Sequence, residues 1–275
     1  MKNVLIIARK EIQEGLRNRW VLATTLLLAA LALTLTFLGS APTGNVGAGA
    51  LDVVIVSLSS LTIFLVPLIA LLISHDAIVG EMERGTMLLL LSYPIGRWQV
   101  IMGKFIGHVA ILSFATLLGY GAAAVALAVT EGAIDSSSLA AFGSMILSSI
   151  LLGGVFVAIG YLISALVAER GTAGGIAIGV WLLCVLIYDM ALLGLLVVDQ
   201  GKTVSGGLLN ALLLANPTDV YRLLNLGSGT AGALSGMAGV AENAALGPAA
   251  LVAALVAWTL VPLTAAAMVF SRREL

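Results

Sequence analysis

The side chains able to take part in chemistry are few, and their spacing excludes most reactions. His75 and His108 are the only histidines, and Cys184 is the only cysteine. They are too far apart in sequence to signal a metal site, and one cysteine cannot form an intrachain disulfide. Cys184 lies mid-run in WLLCVLIYDM and reads as a small apolar filler. The methionines are scattered, with only Met237 in a stretch expected in the outer loops. Gly201-Lys202-Thr203 imitates the end of a phosphate loop, but Leu196 stands where that loop needs a glycine. No catalytic residue, bound metal or cofactor is therefore assigned to this chain. Asp189 is the one acid deep in an apolar run, beside Tyr188. Such a residue either carries protons or cations, or is an outer-end group hydrogen-bonded to a neighbouring helix.

One group of charges forms an island, HDAIVGEMERGTMLLLLSYPIGRWQVIMGK, residues 75–104. It holds Asp76, Glu81, Glu83, Arg84, Arg97 and Lys104 between long runs almost free of charge. Each charge at the centre of a bilayer costs roughly 2.5–3.5 kcal/mol on insertion scales. The island is therefore expected in water, joining two membrane spans. Glu81, Glu83 and Arg84 fall within one helical turn, Gly85 lets the chain bend, and Met87 to Leu91 turn back toward the bilayer.

The surrounding sequence must supply those spans. Hydrophobic residues make up 60% of the chain and charged residues 10%, where a soluble domain carries about 25% charged. This is the composition of an integral membrane protein, and a net charge of −1 argues against nucleic acid as a partner. The reading is an all-α protein forming one transmembrane domain over residues 1–275. Spans are expected at about 20–38, 53–74, 101–129, 139–168, 174–198 and 248–270. Residues 1–19 form an interfacial helix, with Leu5, Ala8, Ile12 and Leu16 as its apolar stripe and Trp20 at the lipid boundary. The run from Trp20 to Leu38 exceeds the roughly 7–15 residues of a signal-peptide core, so it is read as an uncleaved span. Residues 39–52 and 130–138 make short loops, and 75–100 the charged loop. Residues 199–247 form a larger loop holding two short helices, 207–217 and 218–226, and a weakly patterned stretch at 227–247.

Six spans put both termini on one side. Of the 13 Lys and Arg residues, all but Lys202 and Arg222 then share the side of the termini and the island. By the positive-inside rule that side is the cytoplasm. Gly103 and Gly107 lie four apart, as do Gly171, Gly175 and Gly179. Such stripes allow close helix packing, within one chain or between two.

The island resembles the first cytoplasmic loop of ABC-2 type transporter permeases. The match runs through Glu81, Glu83, Gly85, Thr86, Leu88 to Leu91, Ser92, Pro94, Arg97 and Lys104. The six-span order, the amphipathic start and Asn216-Pro217 before the last span extend it over the whole chain. The resemblance implies a type-V-exporter-like permease in the bacterial inner membrane, working as a dimer of two copies with two separate ATPase subunits. ATP and Mg would bind the ATPases. The segment carrying Glu81, Glu83, Arg84, Gly85 and Thr86 would be the coupling helix, and the Glu169-Arg170 turn a second, smaller contact. A periplasmic partner would meet the outer loop, with Asn216, Pro217, Asp219, Tyr221 and Arg222 as its contact residues. Two rival readings stand beside this one. A proton-coupled carrier would use Asp189, but it should show several buried charges and often a repeat. A membrane anchor for a periplasmic assembly would need no elaborate island.

Overall fold

The structure is a computed structural model that describes residues 2–17, 19–39, 50–131, 136–199, 205–226 and 246–273. Among these residues the regular elements are all helical. The expected loop at 39–52, most of that at 130–138, Lys202, Met237 and the stretch 227–245 lie outside the described residues or their described side chains. The Trp20 side chain does too.

In hydrocarbon every backbone N–H and C=O must be satisfied within the chain, so long apolar runs become helices. Helix α1, Lys2–Arg17, is followed by α2, Arg19–Gly39. The next long helix is α3, Ala50–Ser74. Two short helices, α4 (Val79–Glu83) and α5 (Thr86–Leu91), shape the charged island. Then come α6, Arg97–Glu131, and α7, Ser136–Leu166. The next span is α8 (Arg170–Leu182) and α9 (Tyr188–Asp199), joined through a π-helical turn at Leu183–Ile187. Two more short helices follow, α10 (Gly206–Leu214), begun by the Ser205 hydroxyl as cap, and α11 (Pro217–Leu226). The last helix is α12, Pro248–Arg272. Among the described residues five helical stretches are long and apolar enough to cross a membrane, and six when α1 and α2, bent by 69°, are counted as one.

Helix α7 is the hub. It packs against α3, α6 and α12, and Phe156 and Tyr161 on it are fully buried. Helices α1 and α2 lie along α6. At 35 residues α6 is roughly 50 Å long, more than the ~30 Å of a hydrocarbon core, so its first turns extend past it. A second apolar cluster, including Leu28, Leu58, Tyr120 and Phe142, joins α2, α3, α6 and α7 at the other end of the bundle. There the Thr62 and Tyr120 hydroxyls meet at 2.5 Å.

The two glycine stripes have different roles. A Cβ on Gly103 would lie 2.7 Å from Ile7 Cβ, and one on Gly107 would lie 2.5 Å from Glu11 Cβ. These glycines let α1 press directly onto α6. Around Gly171, Gly175 and Gly179 no other helix among the described residues comes within 4 Å of such a Cβ. The α8–α9 span stands nearly clear, burying only Ala173, Ala177, Val185 and Asp199.

The orientation expected from the charge sorting can be tested at exposed positions. Leu208 on α10 is 48% exposed and Arg84 is exposed. With Cys184 replaced by Ala, a Leu208→Cys protein should react with an impermeant thiol reagent from outside the cell. An Arg84→Cys protein should react only after the membrane is opened, and the reverse pattern would overturn the orientation.

Candidate functional site

The island was expected to lie wholly in water, and the structure corrects this. Lys104 is 3% exposed, and its ammonium donates to Glu11 Oε1 at 2.7 Å and meets Glu81 Oε1 at 2.9 Å. Glu11 and Glu81 are themselves buried, at 7% and 8% exposed. A lone charge could not survive there, but one ammonium between two carboxylates compensates for lost hydration by direct pairing. The expected docking residue Glu81 therefore faces inward. Ala8 packs inward with Ile7 and Glu11, whereas Leu5 and Leu16 face outward at 65% and 42% exposed.

Around this triad, groups from other helices close in. Glu11 Oε2 lies 3.6 Å from His108 Nε2, and His108 Nδ1 is 2.8 Å from the Tyr161 hydroxyl on α7. Lys10 reaches Glu14 at 3.3 Å and Glu81 at 3.9 Å. The Ser164 hydroxyl of α7 accepts the Ile78 and Val79 N–H groups at 3.0 Å each, capping the start of α4. Glu83 Oε1 accepts the Arg170 N–H at 2.8 Å at the start of α8, where a helix dipole favours negative charge. The Arg170 guanidinium returns to Asp76 at 2.9 Å.

The helix C-termini are tied into the same plate by arginines. Arg97 donates to the Phe270, Ser271 and Arg273 carbonyls at 2.8, 3.1 and 2.7 Å. Arg273 donates to the Ala165 and Val167 carbonyls at 2.9 and 2.6 Å. These are the orphan acceptors at the ends of α12 and α7. The island thus holds the charged ends of α1, α6, α7, α8 and α12 together. Among the residues presented to solvent are Glu83, Arg84 and Thr86, with Leu88 and Leu89 at 56% and 69% exposed. Gly85 between α4 and α5 has φ +71°, a left-handed conformation that costs a side-chain-bearing residue energy. Glu169, next to Arg170, is exposed and begins α8 in an extended conformation.

A second polar cluster lies toward the opposite end. Arg222 on α11 binds Asp189 through both guanidinium nitrogens and Asp219 at 2.8 Å. Asn216 donates to Asp219 at 3.0 Å and to the Cys184 carbonyl of the π-helical turn at 2.8 Å, which also accepts from the Thr218 hydroxyl at 2.9 Å. Helix α11 is therefore fastened to the α8–α9 span where that span changes winding. Asn216, Asp219 and Tyr221 are at most 1% exposed, and Pro217 is buried. They were expected on a partner's contact surface. Their side chains point into this chain instead, because the pairing partners come from α7 and α9 (Ser149 meets the Tyr221 hydroxyl at 3.0 Å). Burial, and then the nearby Asp189 carboxylate, push Asp219 up from the ordinary 3.8 to about 7, against the opposing pull of Arg222 and Asn216. One guanidinium cannot fully compensate two ionised carboxylates.

Sequence reasoning passed over Glu11, Ser164 and Arg273. The Gly103–Gly107 stripe beside Lys104 was the available sign that another helix seats there. Among the described residues no group of three or more His, Cys, Asp or Glu side chains is placed to hold a metal ion.

Comparison with known proteins adds the relationship. The profile of the ABC-2 family transporter proteins matches residues 5–275. The chain is 48% identical over 275 residues to the probable ABC transporter permease protein NosY of Stutzerimonas stutzeri, covering 99% of each chain. It is 46% identical over 276 residues to the protein of the same description from Pseudomonas aeruginosa, covering 100% of each.

Two outcomes follow from the clusters. Lys104→Met leaves two buried carboxylates without their cation and should destabilise the protein by about 3–5 kcal/mol. Adding Glu11→Gln and Glu81→Gln should restore much of the thermal unfolding temperature, and no recovery would show that the triad is not one unit. Asp219 holds its proton more tightly when folded than when unfolded. Its contribution is therefore complete below about pH 4 and is lost as pH rises through about 7. Thermal unfolding of the native protein should be earlier at pH 8 than at pH 5, and Asp219→Asn should flatten that difference.

Proposed function

The chain belongs to the ABC-2 family of transporter proteins, and from that premise we propose that it is the membrane permease subunit of an ATP-binding-cassette transporter. The observation that carries the reading is full-length similarity to NosY permeases, joined to a charged plate that ties the span ends together. Such a plate suits a part that must move as a body when pushed. Six spans cross the bacterial inner membrane, with both termini in the cytoplasm. Two copies form the core, and two NosF-like ATPases seat on the cytoplasmic face, where they bind ATP and Mg. The exposed residues Glu83, Arg84 and Thr86 are the coupling contact, and Glu169 with Arg170 a smaller one.

The similarity to NosY points to copper-site assembly of nitrous oxide reductase, by export of a sulfur or copper species or by motion passed to a NosD-like periplasmic partner. Asp189 has a structural role in this reading. It is held by Arg222 at the fastening between α11 and the fifth span.

Because Glu81 is buried beside Lys104, changing it would damage the plate rather than probe docking. The informative variant is Arg84→Glu, which reverses an exposed charge outside the plate and should leave the spans inserted. Recovery of the ATPase with the purified permease should fall by roughly tenfold, with a matching loss of complex ATPase activity. Unchanged recovery and activity would place the coupling surface elsewhere.

A further inference from the structure

Among the described residues the Ser59 hydroxyl on α3 reaches no hydrogen-bond partner, although it is fully buried and closed off from water. Thr62 and Ser74 on the same helix avoid that state by donating to the carbonyl one turn before, at 2.8 and 2.6 Å. Inside a membrane bundle an idle hydroxyl costs stability, because no water replaces the missing partner. Its neighbour is Tyr221 of α11, whose hydroxyl stands close to Ser59, Thr62, Ser148 and Ser149. The protons of this cluster can be followed one by one. Ser149 gives its single proton to the Met145 carbonyl at 2.6 Å, so Tyr221 is the donor in their 3.0 Å bond. Thr62 gives its proton to the Leu58 carbonyl and receives that of Tyr120. Ser148 is engaged by Met145 and Asn225. Of the four hydroxyls beside Tyr221, Ser59 is the idle one.

Helix α11 is attached on two sides with unequal strength. On the α8–α9 side Arg222 pairs with Asp189, and Asn216 and Thr218 hold the Cys184 carbonyl. On the α7 side the side-chain bonds are neutral, from Tyr221 to Ser149 and from Ser148 to Asn225. Charge-assisted hydrogen bonds are roughly twice as strong as neutral ones, so a displaced α11 parts from α7 first and stays with the span. We propose that Ser59 is a second seat for the Tyr221 hydroxyl. Helix α11 then has two positions. In one, seen here, Tyr221 donates to Ser149 on α7; in the other it donates to Ser59 on α3. Ser149 keeps its bond to Met145 when Tyr221 leaves, and the number of hydrogen bonds is the same in both positions. Packing of α11 against α3, α7 and α12 sets the balance between them. The inference stands on this chain alone, whatever the transporter moves.

The test is thermal unfolding of the full-length protein in detergent micelles, run as a double-mutant cycle. Ser59→Ala removes an idle hydroxyl and should raise the midpoint by about 2–4 °C. Ser149→Ala should lower it by less than about 1 °C, because Tyr221 passes to Ser59. The double variant takes away both seats and should unfold about 2–4 °C below the native protein, far from the sum of the single effects. In a Tyr221→Phe background, where no hydroxyl needs a seat, the two serine substitutions should become additive. This third variant separates a seat for Tyr221 from a merely structural coupling of α3 with α7. A lower midpoint for Ser59→Ala would mean that its hydroxyl is already bonded and would overturn the proposal. Additive effects in the native background, or coupling that survives Tyr221→Phe, would overturn it as well.

Discussion

The burial of Lys104 between Glu11 and Glu81 is the constraint on which the rest depends. These three residues sit on three different elements, α6, α1 and the short α4, and each charge requires the others. Breaking such an arrangement costs far more than a surface ion pair contributes, because the survivors stay buried without a counter-charge. The island cannot shift away from α6, nor can α1 peel off the bundle, without exposing the triad. Close contact at Gly103 and Gly107 brings α1 near enough for Glu11 to reach. From that anchor the other ties follow, through Ser164 to α7, Glu83 to α8 and Arg97 to α12.

The far end is built differently. There a single arginine, Arg222, fastens a short helix to a span that otherwise stands nearly clear of its own chain. The π-helical turn lies at this fastening, with its Cys184 carbonyl taken by Asn216 and Thr218. The α8–α9 span is thus held by Asp76 and Glu83 at its start, by the Trp181 N–H on the Phe64 carbonyl further along, and by Arg222 at Asp189. Its middle presents apolar side chains and bare glycines.

Much of this was legible in the sequence because membranes impose simple rules. Length and apolarity mark the long helices, and the island announced itself by charge density. Gly85 before a leucine run marked the bend that the structure shows at φ +71°. The pairings were not legible. Glu11 and Lys104 are separated by 93 positions and Asp189 and Arg222 by 33, and nothing local links them. Glu11 also stands among basic residues, which made α1 look like a purely interfacial helix. Rules that place charge in water cannot tell an exposed carboxylate from one that has found a buried partner. Glu81 and Glu83, one turn-face apart, received the same reading and have opposite environments.

The proposed function requires the charged end of each copy to move as one body when ATP binds to the partner ATPases. The most direct measurement is pulsed electron–electron spin resonance on the assembled complex. Spin labels are placed at the exposed positions Gln13 on α1 and Arg84 beside α4. The account predicts that the Gln13–Arg84 distance within one copy stays the same with and without a trapped ATP state, while the Arg84–Arg84 distance between the two copies changes. A change within one copy as large as that between copies would contradict it.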